Sequence, residues 1–496
     1  MLVGLVVLGA ARLALAPVDW PRLGPSRAVA IGVVAYALVF SFVTVTRHYT
    51  FQTHALDLGQ YAQNMWDLAR GRPPYDTILG WHAWGNHLSP IFYLFAPLTL
   101  VFAGPTFLLV LQSAALALGA LPVFHLARRR VGAEAAAGFA LLYLLNPSLQ
   151  GINVRDFHAA ALAIPLLLAA MDFAEAGRLW LGGLAAVLTL TTREDAAIAV
   201  VGLGLWLAIV SRRPILGGAL VAVSVAWLFV AVEWLMPSFR DDAVYPYITA
   251  HYAHFGDSLG QIVLAPFAHP LRVLTWLATL DHARYLIALL APLGFLPLAA
   301  PLASVGALPG LAQNLLSDYP VLTNHRSQYQ AFVLPFLVVG AIVGFETLRR
   351  WRPVIITPRR VLVVAGLVSL AMSARTANDL AVHSWWPDAR ERAAYRLLAM
   401  IPSGATVSAS EQFFPHLYER TSVYVFPQRA AQSDVVLVNG RRLDRRRIDN
   451  VAATRDGSVV TLDAAGEASG LRLAVVTEAE GWLLLKPLAP AAAPAR

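Results

Sequence analysis

Charge in this chain is confined almost wholly to the gaps between apolar runs, and a chain built that way must cross a membrane repeatedly. With 496 residues, 57% hydrophobic and 14% charged, there is too much apolar surface for one soluble core. When the runs are traced as spans, Asp57, His87, Asp156, His158, Arg193, Glu194, Asp195, Asp318, His325 and Arg326 all fall at one face. Nearly all the bare arginine clusters fall at the other.

Those clusters set the orientation. Arg22 and Arg27 precede the first clear run, and Arg128 to Arg130, Arg212 with Arg213, Arg349 with Arg350 and Arg352, and Arg359 with Arg360 follow later ones. The positive-inside rule makes them cytoplasmic. The runs then alternate: Ala28–Thr46, Thr106–Ala127, Ala135–Leu149, Ala159–Phe173, Leu179–Thr191, Ala196–Val210, Ile215–Trp234, Leu286–Ala300, Leu302–Leu316, Ala331–Phe345 and Val361–Ala374. This predicts about eleven spans, several shorter than the roughly 18 residues a lone span prefers and so tilted or buried in the bundle. The N-terminus lies inside and everything after Arg375 outside. The apolar opening, Met1 to Ala16 within residues 1–27, is expected to be an extra span or an anchor.

The domain plan is therefore a transmembrane domain over 28–374, with outer loops at 47–89 and 238–284, and an extracytoplasmic α/β domain over 375–496. In that last part V-S-A-S, E-Q-F-F-P-H-L-Y-E-R, V-Y-V-F-P and D-V-V-L-V-N read as strand, helix, strand and strand, and L-A-V-V-T-E-A-E-G-W-L-L-L-K-P as a closing hairpin. The final A-P-A-A-A-P-A-R reads as a frayed end. With no cysteine, that domain holds together by packing alone, and thiolate chemistry and Cys-ligated metals are excluded. The net charge of +8 comes from short clusters with no continuous basic stripe, which argues against nucleic acid.

Asp57 lies about ten residues beyond the first span, where helical spacing puts Asp57 and Tyr61 on one face with Asn64 beside them. It reads either as a helix N-terminal carboxylate or as a functional acid, and His54, His82 and His87 in the same loop favour the second. Asp156 and His158 in N-V-R-D-F-H-A-A fit an interfacial helix start with Asp156 as N-cap, or a substrate contact. Arg193, Glu194 and Asp195 in L-T-T-R-E-D-A-A fit a polar turn capped by Thr192 or Asp195. They also place two carboxylates beside a guanidinium, enough to orient a phosphate or, with His87, to bind a divalent metal. Arg326 offers the bidentate fork that suits a phosphate.

The ordered set D-L-G-Q-Y-A-Q-N-M-W-D-L-A-R-G, G-N-H-L-S-P, L-L-Y-L-L-N-P, R-D-F-H, T-R-E-D-A and N-H-R-S-Q-Y resembles the prokaryotic polytopic membrane family catalogued as domain of unknown function twenty-seventy-nine. The similarity runs from about His54 into the outer domain. The family's layout in turn resembles the GT-C glycosyltransferases, with an acid in the first outer loop, many spans and often a C-terminal outer domain. That resemblance implies an integral plasma-membrane enzyme of the cell envelope, with a polyprenyl-phosphate sugar as donor and Asp57 as catalytic base. Tyr61, His87, Asp156, His158, Arg193, Glu194 and Arg326 would contact substrate. There is no clear D-x-D or E-x-D in the first loop, and Glu194, Asp195 and His87 are the candidates for a metal. The acceptor is not specified.

Two other classes fit the sequence. A transporter or flippase would place ionisable groups or broken helices at mid-membrane, whereas charge here sits near span ends, with Glu233 and Glu346 close to a boundary. A noncatalytic scaffold would use its outer domain to hold a partner. All three share the topology, which is testable alone. A reporter fused after Arg375 is expected to be extracytoplasmic and one at Arg129 cytoplasmic, and a cytoplasmic signal after Arg375 overturns the one-face reading.

Overall fold

Pro25 opens the first helix, Pro25–Tyr49, where its fixed φ suits the first turn. Its 25 residues reach roughly 37 Å, enough for a bilayer core of about 30 Å. The computed structural model describes residues 24–240, 246–374, 385–463 and 468–488. The opening run Met1–Ala16, Arg375 and the terminal A-P-A-A-A-P-A-R lie outside them. The chain forms two units. The first comprises residues up to Phe42, Trp84–Phe92 and Val110–Ala381, and the second Val43–Ala83, Tyr93–Leu109 and the chain from Val382.

The first unit is helical. By length and composition three helices among the described residues can cross a membrane alone: Pro25–Tyr49, Gly104–Val131 and Pro214–Phe239. Two bent pairs raise the number to five if each is one span. Several other expected spans are short or broken, and the local chemistry says why. In L-N-P the Asn146 side chain accepts from Ser148 N at 2.9 Å and starts a new helix, Pro147–Val154, bent 41° from Ala133–Leu144. Over Leu286–Leu316, Pro292, Pro297, Pro301 and Pro309 remove backbone donors, so short 3₁₀ turns replace long helix between Leu280–Leu290 and Leu308–Leu315. The described part of segment 238–284 carries the short helices Pro246–Tyr252, Leu259–Ala268 and Pro270–Leu277 and the start of Leu280–Leu290.

Glycine lets the broken stretch pack. A Cβ on Gly202 would sit 2.1 Å from the Gly306 carbonyl oxygen, and one on Gly344 would sit 1.9 Å from the Leu296 carbonyl oxygen. Small residues at such crossings allow backbone contact where lipid supplies no hydrophobic drive between helices. The core around them includes Trp206, Phe139, Phe332, Phe336 and Phe345, all buried.

The second unit is built on a mixed sheet in the order β4-β3-β5-β10-β9-β8-β7-β6. Its strands are β3 (Val407–Ala409), β4 (Val423–Val425), β5 (Val435–Asn439), β6 (Arg447–Ile448), β7 (Val451–Asp456), β8 (Val459–Asp463), β9 (Ser469–Ala479) and β10 (Trp482–Pro487); β1 (Tyr75–Asp76) and β2 (Trp81–His82) form a separate ribbon. β3 pairs in parallel with β4 and β5, and the remaining neighbours are antiparallel. The E-Q-F-F-P-H segment, expected as a helix, is a 3₁₀ turn over Glu411–His416, because Pro415 cannot donate in a longer helix. Before the first of these C-terminal strands lies the helix Ala389–Ala399, opened by a capping box between Asp388 and Glu391.

The end of the first span packs into the same unit. Phe51, at φ 56, lies 4.2 Å from the His416 ring and 5.3 Å from Phe413 between centroids, and His48 stacks on His416 at 4.2 Å and 9°. The Tyr395 hydroxyl donates to the Tyr49 carbonyl at 3.0 Å. Burial first, and then the His48 ring, hold the His416 imidazole well below its ordinary value. The folded state therefore binds fewer protons here than the unfolded chain, so this group's stabilisation is complete above about pH 6.5 and falls as pH drops from there toward the depressed folded value. The expected outcome is a denaturation midpoint that declines between about pH 6.5 and 5, less steeply in His416→Phe. An unchanged slope in that variant places the pH dependence elsewhere.

Candidate functional site

Glu194 is the most enclosed acid of the expected set. It sits in the turn between helices Leu179–Leu190 and Ala196–Ile209 with its side chain 0% exposed. A carboxylate there must be met by donors. His87 Nδ1 meets Oε1 at 2.9 Å, and the Leu88 backbone N–H donates to Oε2 at 3.0 Å. Three residues on, Ile91 N donates to the Thr191 carbonyl at 3.0 Å, so the segment after Gly85 is tied to this turn at two levels. The His87 ring also lies parallel to Tyr247 at 5.1 Å, and the Tyr247 hydroxyl donates to Asn86 at 2.7 Å.

Arg193 faces the other way. Its Nε donates to Asp195 Oδ1 at 2.5 Å and its Nη2 to Oδ2, closing a bidentate pair that Gln313 Nε2 joins at 3.2 Å. The guanidinium also lies 5.4 Å from the Tyr329 ring centroid and 5.7 Å from that of Phe332. The T-R-E-D turn therefore meets both the G-N-H-L segment, through Glu194, and the N-H-R-S-Q-Y segment, through Arg193. The capping role considered for Asp195 is not realised, since it has helical backbone angles and no side-chain cap bond.

Arg326 is buried at 6% exposure, and Gly151 is what admits it: a Cβ there would lie 2.4 Å from Arg326 Cβ. The Arg326 N–H donates to Asn324 Oδ1 at 3.0 Å, and Gln330 Nε2 holds the Leu322 and Asn324 carbonyls at 3.0 and 3.1 Å. Asp156 and His158 are buried in the loop that follows Pro147–Val154. His158 Nδ1 bonds the Asp156 carbonyl at 2.7 Å, which makes Nε2 the acceptor nitrogen of the ring, and its backbone N–H donates to Gln112 at 2.8 Å. His158, not Asp156, precedes the next helical turn, and it makes no side-chain cap bond. The expected N-cap at Asp156 gives way to this extended residue.

Asp57 and Tyr61 belong to the second unit. The expected shared helix face is interrupted, because regular helix begins at Gln60 and Asp57 stands in a kink before it with φ 68 and ψ −89. These angles lie near the strained γ-turn region that a side chain rarely occupies. Gln60 N donates to the Asp57 and Ala55 carbonyls, and Gly59 lies so close to Phe414 that a Cβ would meet its Cδ1 at 2.6 Å. Asp57 is half-buried and Tyr61 buried. Around them Gln63 accepts from Thr77 at 3.0 Å and donates to the Arg420 carbonyl at 2.9 Å, so the loop is fixed on its side-chain amides.

Among the described residues no three His, Asp or Glu side chains converge as a metal site would require. His87 and Glu194 meet, while Asp195 is turned onto Arg193. The expected donor set does not assemble, and no step is assigned to a metal. Sequence reading missed Tyr247 and Gln313 as neighbours of the turn and Gly151 as the seat of Arg326; only the glycine carried a signal, in Q-G-I-N.

The model of the family described as Predicted membrane protein (DUF2079) matches residues 47–457. The chain belongs to this family. It is thus a membrane protein, as its apolar runs require. No functionally curated protein matches its sequence. The fold is similar to that of ArnT from Cupriavidus metallidurans: with the apo crystal structure the TM-score is 0.53 at 16% identity, covering 94% of this chain and 99% of that one. With the structure bound to undecaprenyl phosphate it is 0.50 at 13% identity over the same shares. At that level the likeness is one of fold, and the expected helical architecture with a C-terminal sheet domain holds.

Glu194→Ala is expected to cost roughly 3 kcal/mol of stability, by stranding the Leu88 N–H and the His87 ring. Glu194→Gln, which keeps an acceptor for Leu88, should cost clearly less. Thermal unfolding of the purified protein measures both, and equal midpoints for wild type and Glu194→Ala would show that the anchor is not made.

Proposed function

We propose that this protein transfers a sugar from a polyprenyl-phosphate donor to an acceptor hydroxyl at the extracytoplasmic face. The observation that carries this reading is the fold shared over 94% of the chain with a protein whose crystal structure was determined bound to undecaprenyl phosphate. The sequence agrees with it, since an acid follows the first span and no nucleotide-binding element is present.

In this reading Asp57 is the base. Its carboxylate takes the proton of the acceptor hydroxyl as the oxygen attacks the anomeric carbon; the bond from that carbon to the phosphate oxygen breaks, and the lipid phosphate leaves carrying the electron pair. The unusual backbone of Asp57 supports the assignment, because strain of this kind persists where surroundings over-determine a residue and function uses its position. Arg326 is preferred over Arg193 as the group that holds the departing phosphate. The Arg326 stem is seated on Gly151 in an enclosed setting where a guanidinium stabilises an anion strongly. Tyr61, Asp156, His158, His87, Glu194 and Arg193 then serve as substrate contacts or as their supports.

The test is consumption of donor by the purified protein across a panel of polyprenyl-phosphate sugars. Asp57→Asn is expected to lower turnover at least about 100-fold for the donor that works, because the substitution removes a proton acceptor without changing size. Turnover unaffected by Asp57→Asn would move the catalytic role elsewhere, and no turnover with any donor would favour a transporter.

A further inference from the structure

From the end of β5 into the first residue of β6 the second unit reads R-R-L-D-R-R-R, placing Arg441, Arg442, Arg445, Arg446 and Arg447 within seven residues with Asp444 as the one acid among them. All five arginines are exposed. Asp449 lies close enough to Arg442 to be influenced by its charge, but it is half-buried and takes a hydrogen bond from Ser410 Oγ. None of the five forms an ion pair with a carboxylate among the described residues. Some arginines elsewhere are neutralised: Arg129 pairs with Asp172, Arg130 with Glu175 and Glu346, and Arg455 with Glu478.

The packing of the second unit locates this loop. Trp482 pairs with Asn439 in the sheet, lies 4.8 Å from Phe413 and 6.4 Å from Phe51, and carries the Arg390 guanidinium 3.6 Å over its ring. Phe51 comes two residues after Tyr49, the last residue of the first span. Arg441 begins two residues after Asn439, and Gly481 would meet Arg441 Cγ at 3.0 Å and Arg390 Nη1 at 3.1 Å. The basic loop therefore leaves the sheet at the end that packs on Phe51, two residues beyond Tyr49. Clustered guanidiniums so placed suit phosphate, which they grip bidentately, and a surface that offers many phosphates at once.

We propose that Arg441, Arg442, Arg445, Arg446 and Arg447 form a headgroup-contact surface for anionic phospholipids, with Arg390 at its inner edge. The loop tethers the outer domain to the bilayer through lipid phosphates, independently of any transfer reaction. Neutral lipid offers no net charge to hold it.

Full-length protein in nanodiscs of phosphatidylcholine, alone or mixed with phosphatidylglycerol, tests this by hydrogen exchange of the peptide around residues 440–450. Exchange is expected to slow by about tenfold or more in the anionic discs and to return toward the neutral-disc rate at high salt. Replacing all five loop arginines by glutamine should abolish the difference, while Arg455→Gln, on the paired strand residue, should leave it intact. Equal exchange in the two lipids, or protection that survives the five substitutions, overturns the proposal. Inorganic phosphate added to neutral discs is expected to give no protection; if it protects as well as the anionic lipid does, the loop is a soluble-phosphate site and the lipid assignment fails.

Discussion

A carboxylate with no access to water has to find its donors inside the protein, and in this fold Glu194 finds them in the segment around His87 and Leu88. The His87 ring and the Leu88 N–H close on its two oxygens at 2.9 and 3.0 Å. An uncompensated charge at such a depth would cost several kcal/mol, so the register of one helical hairpin turn against residues 84–92 is fixed by chemistry more than by apolar packing. Arg193 and Asp195 extend the arrangement by consuming each other and resting on Tyr329 and Phe332. One tetrapeptide thus organises two other polar segments of the first unit.

The second unit follows a different logic. Its sheet is ordinary in size, but its 3₁₀ turn Glu411–His416 presents Phe413, Phe414 and His416 to residues just beyond the first span. The backbone around Asp57 departs from helix where Gly59 gives Phe414 room. A residue with φ 68 next to such a contact is held by its surroundings, since its own preferences point elsewhere. The C-terminal sheet domain and the loop after the first span are therefore parts of one compact unit, joined by Gln63 to Arg420 and Gln428 to Ile78 across more than 300 residues of sequence.

Much of this was legible in the sequence, because a membrane fold writes its helices as apolar runs and its turns as clustered polar residues. The runs at Ala28–Thr46, Thr106–Ala127 and Ile215–Trp234 became long helices, and β3, β4, β5 and the β9–β10 hairpin stand where alternating apolar residues put them. Legibility failed where partners are distant or weakly patterned. His87 and Glu194 are separated by 107 residues, and nothing local to either announces the other. Asp57 looks like a helical residue, because Phe414, which packs against Gly59 beside its kink, lies far along the chain. The helix Ala389–Ala399 does carry a start signal in P-D-A-R-E, yet it buries few apolar side chains, so its periodicity is faint. Strands β6 to β8 carry a weak pattern and are added one on another, β8 on the β9 edge, β7 on β8 and β6 on β7.

The central claim is that a polyprenyl phosphate is a ligand of this protein and that Arg326 holds its phosphate. Native mass spectrometry of the full-length protein released from detergent, in the presence of a short-chain polyprenyl phosphate and of the matching polyprenol, measures this without knowledge of the sugar or acceptor. The account predicts a one-to-one adduct with the phosphate and not with the alcohol, depleted at least about tenfold in Arg326→Gln. Equal adducts with phosphate and alcohol, or a phosphate adduct indifferent to Arg326→Gln, would contradict it.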